Sequence, residues 1–187
     1  MKSIPLFNNL MLELQSNCNR DCFFCNRPAD DSGKRIKADG KPIIQSMPTE
    51  HAIRILDEVS SLGLKGSVVF HHMSETFLEP RIIEMALEAK KRGMRTHAHT
   101  NGDVLRRDEK LCKEAVEVFD KIVVGLYDAK SESDVAKEEQ FWKQRLSGTE
   151  VDFTKLDSLI PRTLSSDSPL IAEKKVYLKG ATAHYCD

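Results

Sequence analysis

The sequence predicts an α/β fold built on a parallel sheet, and three observations lead there. Short β-branched runs alternate with amphipathic helical stretches through four successive strands. The strands run into polar loops dense in Cys, His and Asn, and parallel strands joined by crossover helices bring such loops to one edge of the sheet. A chain of 187 residues with 40% hydrophobic side chains has enough material for one core but not for a second large domain. The whole chain, 1–187, therefore reads as a single domain, with 1–128 carrying the clearest pattern and 129–187 a shortened C-terminal part.

The elements follow in order. Leu10-Met11-Leu12-Glu13-Leu14 is a compact apolar run ending in Gln15-Ser16-Asn17, a buried strand feeding a polar loop. Residues 26–47 are rich in Asp, Gly, Lys and Pro without apolar periodicity, and form a long loop of the kind that often carries function. Thr49 is placed to cap a helix whose Ala52, Ile53, Leu56, Val59 and Leu62 repeat every three or four residues. Val68-Val69-Phe70 is the second strand. A helix opened by Pro80 presents Ile82, Ile83, Ala86 and Leu87, and the third strand runs from Met94 to Thr100. After the Asn101-Gly102 turn, a helix from Asp108 to Phe119 precedes the fourth strand, Lys121 to Leu126. A polar helix from Ser133 to Leu146 is anchored by Val135, Trp142 and Leu146, with short strands at Val151 to Leu156 and Lys175 to Leu178 and a loop at Ser165 to Pro169 between them.

A net charge of -1 gives no general attraction to phosphate backbones or anionic membranes, and the basic cluster Lys34-Arg35-Ile36-Lys37 reads as a solvated loop, so neither nucleic acid nor membrane is expected as a partner. No apolar run approaches the ~20 residues of a membrane span and no signal peptide precedes the first strand, so a cytoplasmic protein is expected. Five cysteines, three of them between positions 18 and 25, make no disulfide framework.

Those three, Cys18, Cys22 and Cys25, have the spacing C-x3-C-x2-C and can point three soft thiolates into one volume from a single loop. Zinc sites usually use two separated ligand pairs, and here no fourth cysteine or histidine stands nearby in sequence. A cubane iron–sulfur cluster on three cysteines leaves one iron open to a ligand. A structural zinc site completed by a distant residue is the alternative. Cys112, on an amphipathic helix, reads as a packing residue.

The cysteine spacing, with an aromatic just before the third cysteine, resembles the radical SAM superfamily. The resemblance implies a partial parallel (β/α) barrel of about six strands with a shortened second half, and one 4Fe-4S cluster on Cys18, Cys22 and Cys25. It implies that the open iron chelates S-adenosylmethionine and that one electron cleaves it to a 5′-deoxyadenosyl radical, which abstracts hydrogen from a peptide, protein or small biosynthetic substrate. The family's Gly-Gly-Glu-Pro-like segment falls at Met73-Ser74-Glu75-Thr76, which points to Ser74 and Glu75 as cofactor contacts although the glycines and proline are absent. Thr100-Asn101-Gly102 resembles the Thr-Asn-Gly that ends strand three in many members, which adds Asn101, and the polar position on strand four falls at Tyr127 or Asp128. An electron donor of the flavodoxin or ferredoxin kind is implied as a partner.

Phe23 and Phe24 stand beside the third cysteine, where they shield a cluster or pack the loop. His71, His72, His97 and His99 lie on or just beyond strands two and three, and His72 and His99 are the first choices to line a pocket. The competing function is a non-catalytic iron–sulfur or zinc protein that senses redox state or binds a partner.

Overall fold

The computed structural model describes residues 8–20, 22, 25, 45–64, 66–129 and 131–155. Phe24, most of the loop at 26–47, the loop at 165–169, the strand expected at 175–178 and Cys186 lie outside the described residues.

The fold is α/β with one parallel sheet. Strands β1 (Asn9–Met11), β2 (Ser67–Phe70), β3 (Arg95–Thr100), β4 (Lys121–Leu126) and β5 (Glu150–Lys155) lie side by side in chain order. Helices α1 (Thr49–Ser61), α2 (Ile82–Lys91), α3 (Asp103–Arg107), α4 (Glu109–Val118) and α5 (Glu132–Arg145) connect them. Every step along the sheet runs the same way, so right-handed crossovers put all the helices on one face. This is the winding of a (β/α) barrel, spread over five strands among the described residues.

The strand period of two then sorts the side chains. In one cross-strand row Phe70, Ala98, Ile122 and Val151 are neighbours, in the next Thr100, Val124 and Phe153, and these positions pack under the helices with Leu56, Ile82, Met85 and Trp142. The opposite face carries the row Met11, Val69, His97, Lys121 and Glu150, then the row His99, Val123 and Asp152. It is polar and partly open.

Several boundaries differ from expectation for local reasons. Strand β1 stops at Met11, although Leu12 N still donates to Val69 O at 2.9 Å, because Glu13 turns onto the next loop. Thr49 opens α1 without capping it; its Oγ1 accepts from Arg81 Nη1 at 2.8 Å, and Pro48 precedes it. Pro80 lies just before α2, which starts at Ile82. Asp108 does cap α4, accepting from Leu111 N at 2.9 Å, and Ser131 caps α5. Two short elements were not expected from the sequence, α3 and a 3-10 turn at Thr76–Leu78. No helix among the described residues is long and apolar enough to cross a membrane.

Candidate active site

The site is assembled at the C-terminal edge of the sheet, where the loops after β1, β2 and β3 meet. Leu12 and Leu14 anchor the first loop in the core. Beyond them Gln15 Nε2 donates to Glu75 O at 3.0 Å, Asn17 O accepts from Glu75 N at 2.9 Å, and Glu13 Oε1 accepts from Met73 N at 2.6 Å. The loop that leads to the cysteines is thus laced to the loop after β2 before the first cysteine is reached.

Glu75 is the brace between β2 and β3. It is 2% exposed. Its Oε1 accepts from Thr100 Oγ1 at 2.6 Å and from Phe77 N at 3.2 Å, and its Oε2 accepts from Asn101 N at 2.8 Å. Burial raises its pKa, an effect these hydrogen bonds offset in part. Glu75, expected from the family resemblance to contact the cofactor, has its carboxylate turned inward, because the end of β3 supplies donors to it. Thr76 Oγ1 sits beside it between the carbonyls of Phe70 and His99. Ser74 is half-buried on the same loop.

Asn101 links this brace to the cysteines. It is buried, its Nδ2 donates to Asn19 Oδ1 at 2.9 Å, and the same nitrogen stands 4.0 Å from Cys18 Sγ. Gly102 follows with φ +83°, and a Cβ there would lie 2.5 Å from the Trp142 ring, so both backbone and space demand glycine. The turn was legible as Asn-Gly. The tie to Asn19 was not.

Cys18, Cys22 and Cys25 are half-buried thiols, and Cys25 N donates to Cys22 O at 3.0 Å in a tight turn. Burial pushes the Cys22 thiol up to about 11, Arg20 opposes that, and Cys18 and Cys25 add to it, so the three sulfurs feel one another. Among the described residues no three His, Cys, Asp or Glu side chains are placed to hold a single metal ion. Three half-buried soft thiols on one loop are the donor set an iron–sulfur cubane takes, one thiolate to each of three irons.

Tyr127 closes the site from β4. Its ring lies over Gly125, where a Cβ would stand 2.1 Å from the ring, and burial raises its phenol to about 12 with Cys22 and Glu75 contributing. Asn101 and Tyr127, with Arg20, Asp103, Asp128 and Trp142, border a cleft of about 400 Å³ beside the cysteine loop. His99 is half-buried on the open face and stacks on His71 with centroids 4.7 Å apart and an interplanar angle of 12°. His72 is exposed and outside this stack. His71 was one of four histidines singled out in the sequence but not a first choice, and its stacking on His99, one strand–helix unit further along the chain, had no local signal.

Cysteines on one loop at the carboxyl edge of a singly wound parallel sheet define a (β/α) protein that offers three thiolates beside a polar, enclosed edge. The model of the radical SAM superfamily matches residues 12–150, and the chain belongs to that superfamily. Its fold is similar to those of BtrN in complex with AdoMet and 2-DOIA (22% identity, TM-score 0.61, covering 83% of this chain and 59% of that one) and of anSMEcpe with bound AdoMet and a peptide (18%, 0.52, 78% and 42%). It is also similar to that of Streptococcus suis SuiB bound to S-adenosylmethionine (14%, 0.52, 91% and 37%). The chain thus spans at most about three-fifths of the length of these three structures. No curated protein matches it by sequence. Members of the superfamily bind a 4Fe-4S cluster and S-adenosylmethionine.

Proposed function

We propose that the chain is a radical SAM enzyme in which Cys18, Cys22 and Cys25 hold the cluster. The observation that carries the reading is the placement of all three thiols on one loop that the loops after β2 and β3 brace through Glu75 and Asn101. When bound, the cluster supplies the electron that cleaves the sulfonium C–S bond of S-adenosylmethionine and so yields methionine and the 5′-deoxyadenosyl radical.

The chain's own residues bind, orient and exclude water. Thr100, Glu75 and Asn101 hold the loop edges at fixed spacing, so the cofactor meets a preformed rim. Ser74 borders that rim and gives the methionyl part of the cofactor a polar neighbour. Tyr127, set against Gly125, covers the β4 side of the cysteines and keeps its proton at neutral pH, which suits a hydrogen bond to the ribose. His99 and His71 face the open side of the sheet, where a substrate carbon has to approach. BtrN is described with 2-DOIA and anSMEcpe with a peptide, so a small molecule and a peptide or protein are both substrate classes in keeping with this fold. A low-potential flavodoxin- or ferredoxin-like protein is the reductant this chemistry calls for.

The test is anaerobic incubation of iron-reconstituted protein with S-adenosylmethionine and dithionite. About four irons per chain and 5′-deoxyadenosine above a no-protein control are expected. Cys22→Ala should lose both, and product retained by that variant overturns the reading, as does stoichiometric zinc in place of iron.

A further inference from the structure

The segment between Cys18 and Cys22 carries an arginine whose partners lie 83 and 108 residues further along the chain. Arg20 meets Asp103 as a fork, with Nε 2.7 Å from Oδ2 and Nη2 2.5 Å from Oδ1. Its Nη1 stands 2.9 Å from Asp128 Oδ2. Asn19 Nδ2 donates to the same Asp103 Oδ2 at 2.8 Å, and Asp103 N donates to Asn101 Oδ1 at 3.0 Å. With the bond from Asn101 to Asn19, these contacts close a ring through the cysteine loop, the end of β3 and the start of α3.

An exposed ion pair of this kind would do little. Here the Arg20 and Asp103 side chains are only 19% and 22% exposed, and the contact is bidentate, the arrangement in which a guanidinium fixes geometry as well as charge. Asp128 is 82% exposed and adds a weaker, solvated contact. Within this trio two carboxylates face one guanidinium, and the balance between them bears on any nearby group that accepts an electron.

We propose that Arg20 is a positioning residue for the iron–sulfur cluster. Clamped by Asp103, it holds Cys18, Asn19 and its own backbone against β3 and α3 before iron arrives, and the balance between Arg20 and its two aspartates sets how readily the bound cluster is reduced. This rests on the cysteines holding a cluster, as proposed above. A cation beside the cluster favours the reduced, more negative form, and an anion opposes it. The two members of the clamp therefore pull the potential in opposite directions, whereas loss of structure alone would not sort them by sign.

The experiment compares wild type with Arg20→Met, Arg20→Lys and Asp103→Asn. Two quantities are read: the backbone amide hydrogen exchange of residues 18–20 in the apo-protein, chosen over thiol alkylation because Arg20 itself lowers the Cys22 pKa, and the midpoint potential and electron paramagnetic resonance spectrum of the reconstituted cluster. Arg20→Met should speed exchange several-fold and move the potential down, because the cation that faces Asp103 and Asp128 is gone. Asp103→Asn should move the potential up. Arg20→Lys keeps the charge but not the fork, so it should speed exchange while leaving the potential near that of wild type. If Arg20→Met keeps the wild-type circular dichroism yet takes up no iron, positioning is supported and the other two variants carry the electrostatic arm; if it loses the fold, Arg20→Lys and Asp103→Asn carry both arms. Potentials of Arg20→Met and Asp103→Asn that shift in the same direction or stay put, or exchange rates equal to wild type, overturn the proposal. A wild-type protein that binds no iron overturns the cluster reading itself, which keeps the two failures apart.

Discussion

The two faces of the sheet obey different rules although they are made by the same strands. Under the helices, Phe70, Ala98, Ile122 and Val124 are each at most 2% exposed and belong to one apolar core. On the other face the same strands carry Ser67, His97, His99 and Lys121, which have polar or ring partners: Ser67 Oγ lies 3.3 Å from His97 Nε2, His99 stacks on His71, and Lys121 bridges Glu150 and Asp152 at 2.9 and 3.2 Å. The first face is held by burial and determines whether the chain folds. The second, with the loops at its C-terminal edge, determines what the folded chain can do.

The largest expected effect comes from breaking the covered face. Phe70 meets Phe119 edge-on with ring centroids 6.0 Å apart and is 2% exposed. Phe70→Ala should cost ~3–5 kcal/mol. In a chain of this size that lowers the melting temperature by roughly 10 °C. Below the new melting temperature the variant should still reconstitute its cluster, since no polar contact of the site runs through the Phe70 side chain. A cluster lost at temperatures where the fold survives would erase the division of labour between the faces.

A smaller effect on stability with a larger one on the site is expected at Gly125. The three heavy atoms nearest an added Cβ all belong to the far end of the Tyr127 side chain, at 2.1–2.5 Å, so it is the ring that has to give way. Gly125→Ala should therefore stay within ~1 kcal/mol of wild type in stability. Displacing the ring should weaken S-adenosylmethionine binding to the reconstituted protein by roughly tenfold, or ~1.4 kcal/mol. Calorimetry under anaerobic conditions measures it, and unchanged affinity would remove Tyr127 from the site.

The same division explains what was legible in the sequence. The covered face repeats with the period of its elements, so β4 was read at its observed ends and α1, α4 and α5 within a residue or two. The cysteine loop was legible because its three thiols are close in sequence. The braces around it were not: Arg20 finds Asp103, Gln15 finds the carbonyl of Glu75 and Thr100 finds its carboxylate across 83, 60 and 25 residues, and no local pattern announces such pairs. Helix α3, five residues long, is too short to show a periodicity, and its start depends on Gly102 fitting against Trp142. Glu75 illustrates both sides. Its position after β2 was readable from the family resemblance, but its inward turn depends on donors that only the fold brings near.

The smallest effect is a change of slope rather than of level, and it lies on the open face. His71 is stacked on His99, its Nδ1 is buried without a hydrogen-bond partner among the described residues, and burial first, then the neighbouring imidazoles, lowers its pKa from 6.5 to about 4. In the unfolded chain a histidine takes its proton below about pH 6.5. Between that pH and about 4 the unfolded state therefore binds more protons than the folded one, so the stabilisation is complete above pH 6.5 and is lost on acidification through this window. His71→Phe keeps a flat ring on His99 and removes the titrating group. Denaturant unfolding of the apo-protein should show wild type losing stability faster than the variant as the pH falls from 6.5 to 4, with the two curves parallel above that range. His99, whose pKa is also lowered by burial, keeps its share in both proteins, so the slope should shrink and not vanish. Parallel curves throughout would mean that His71 is solvated like a surface residue, and the open face would then be a wet edge with no buried polar layer of its own.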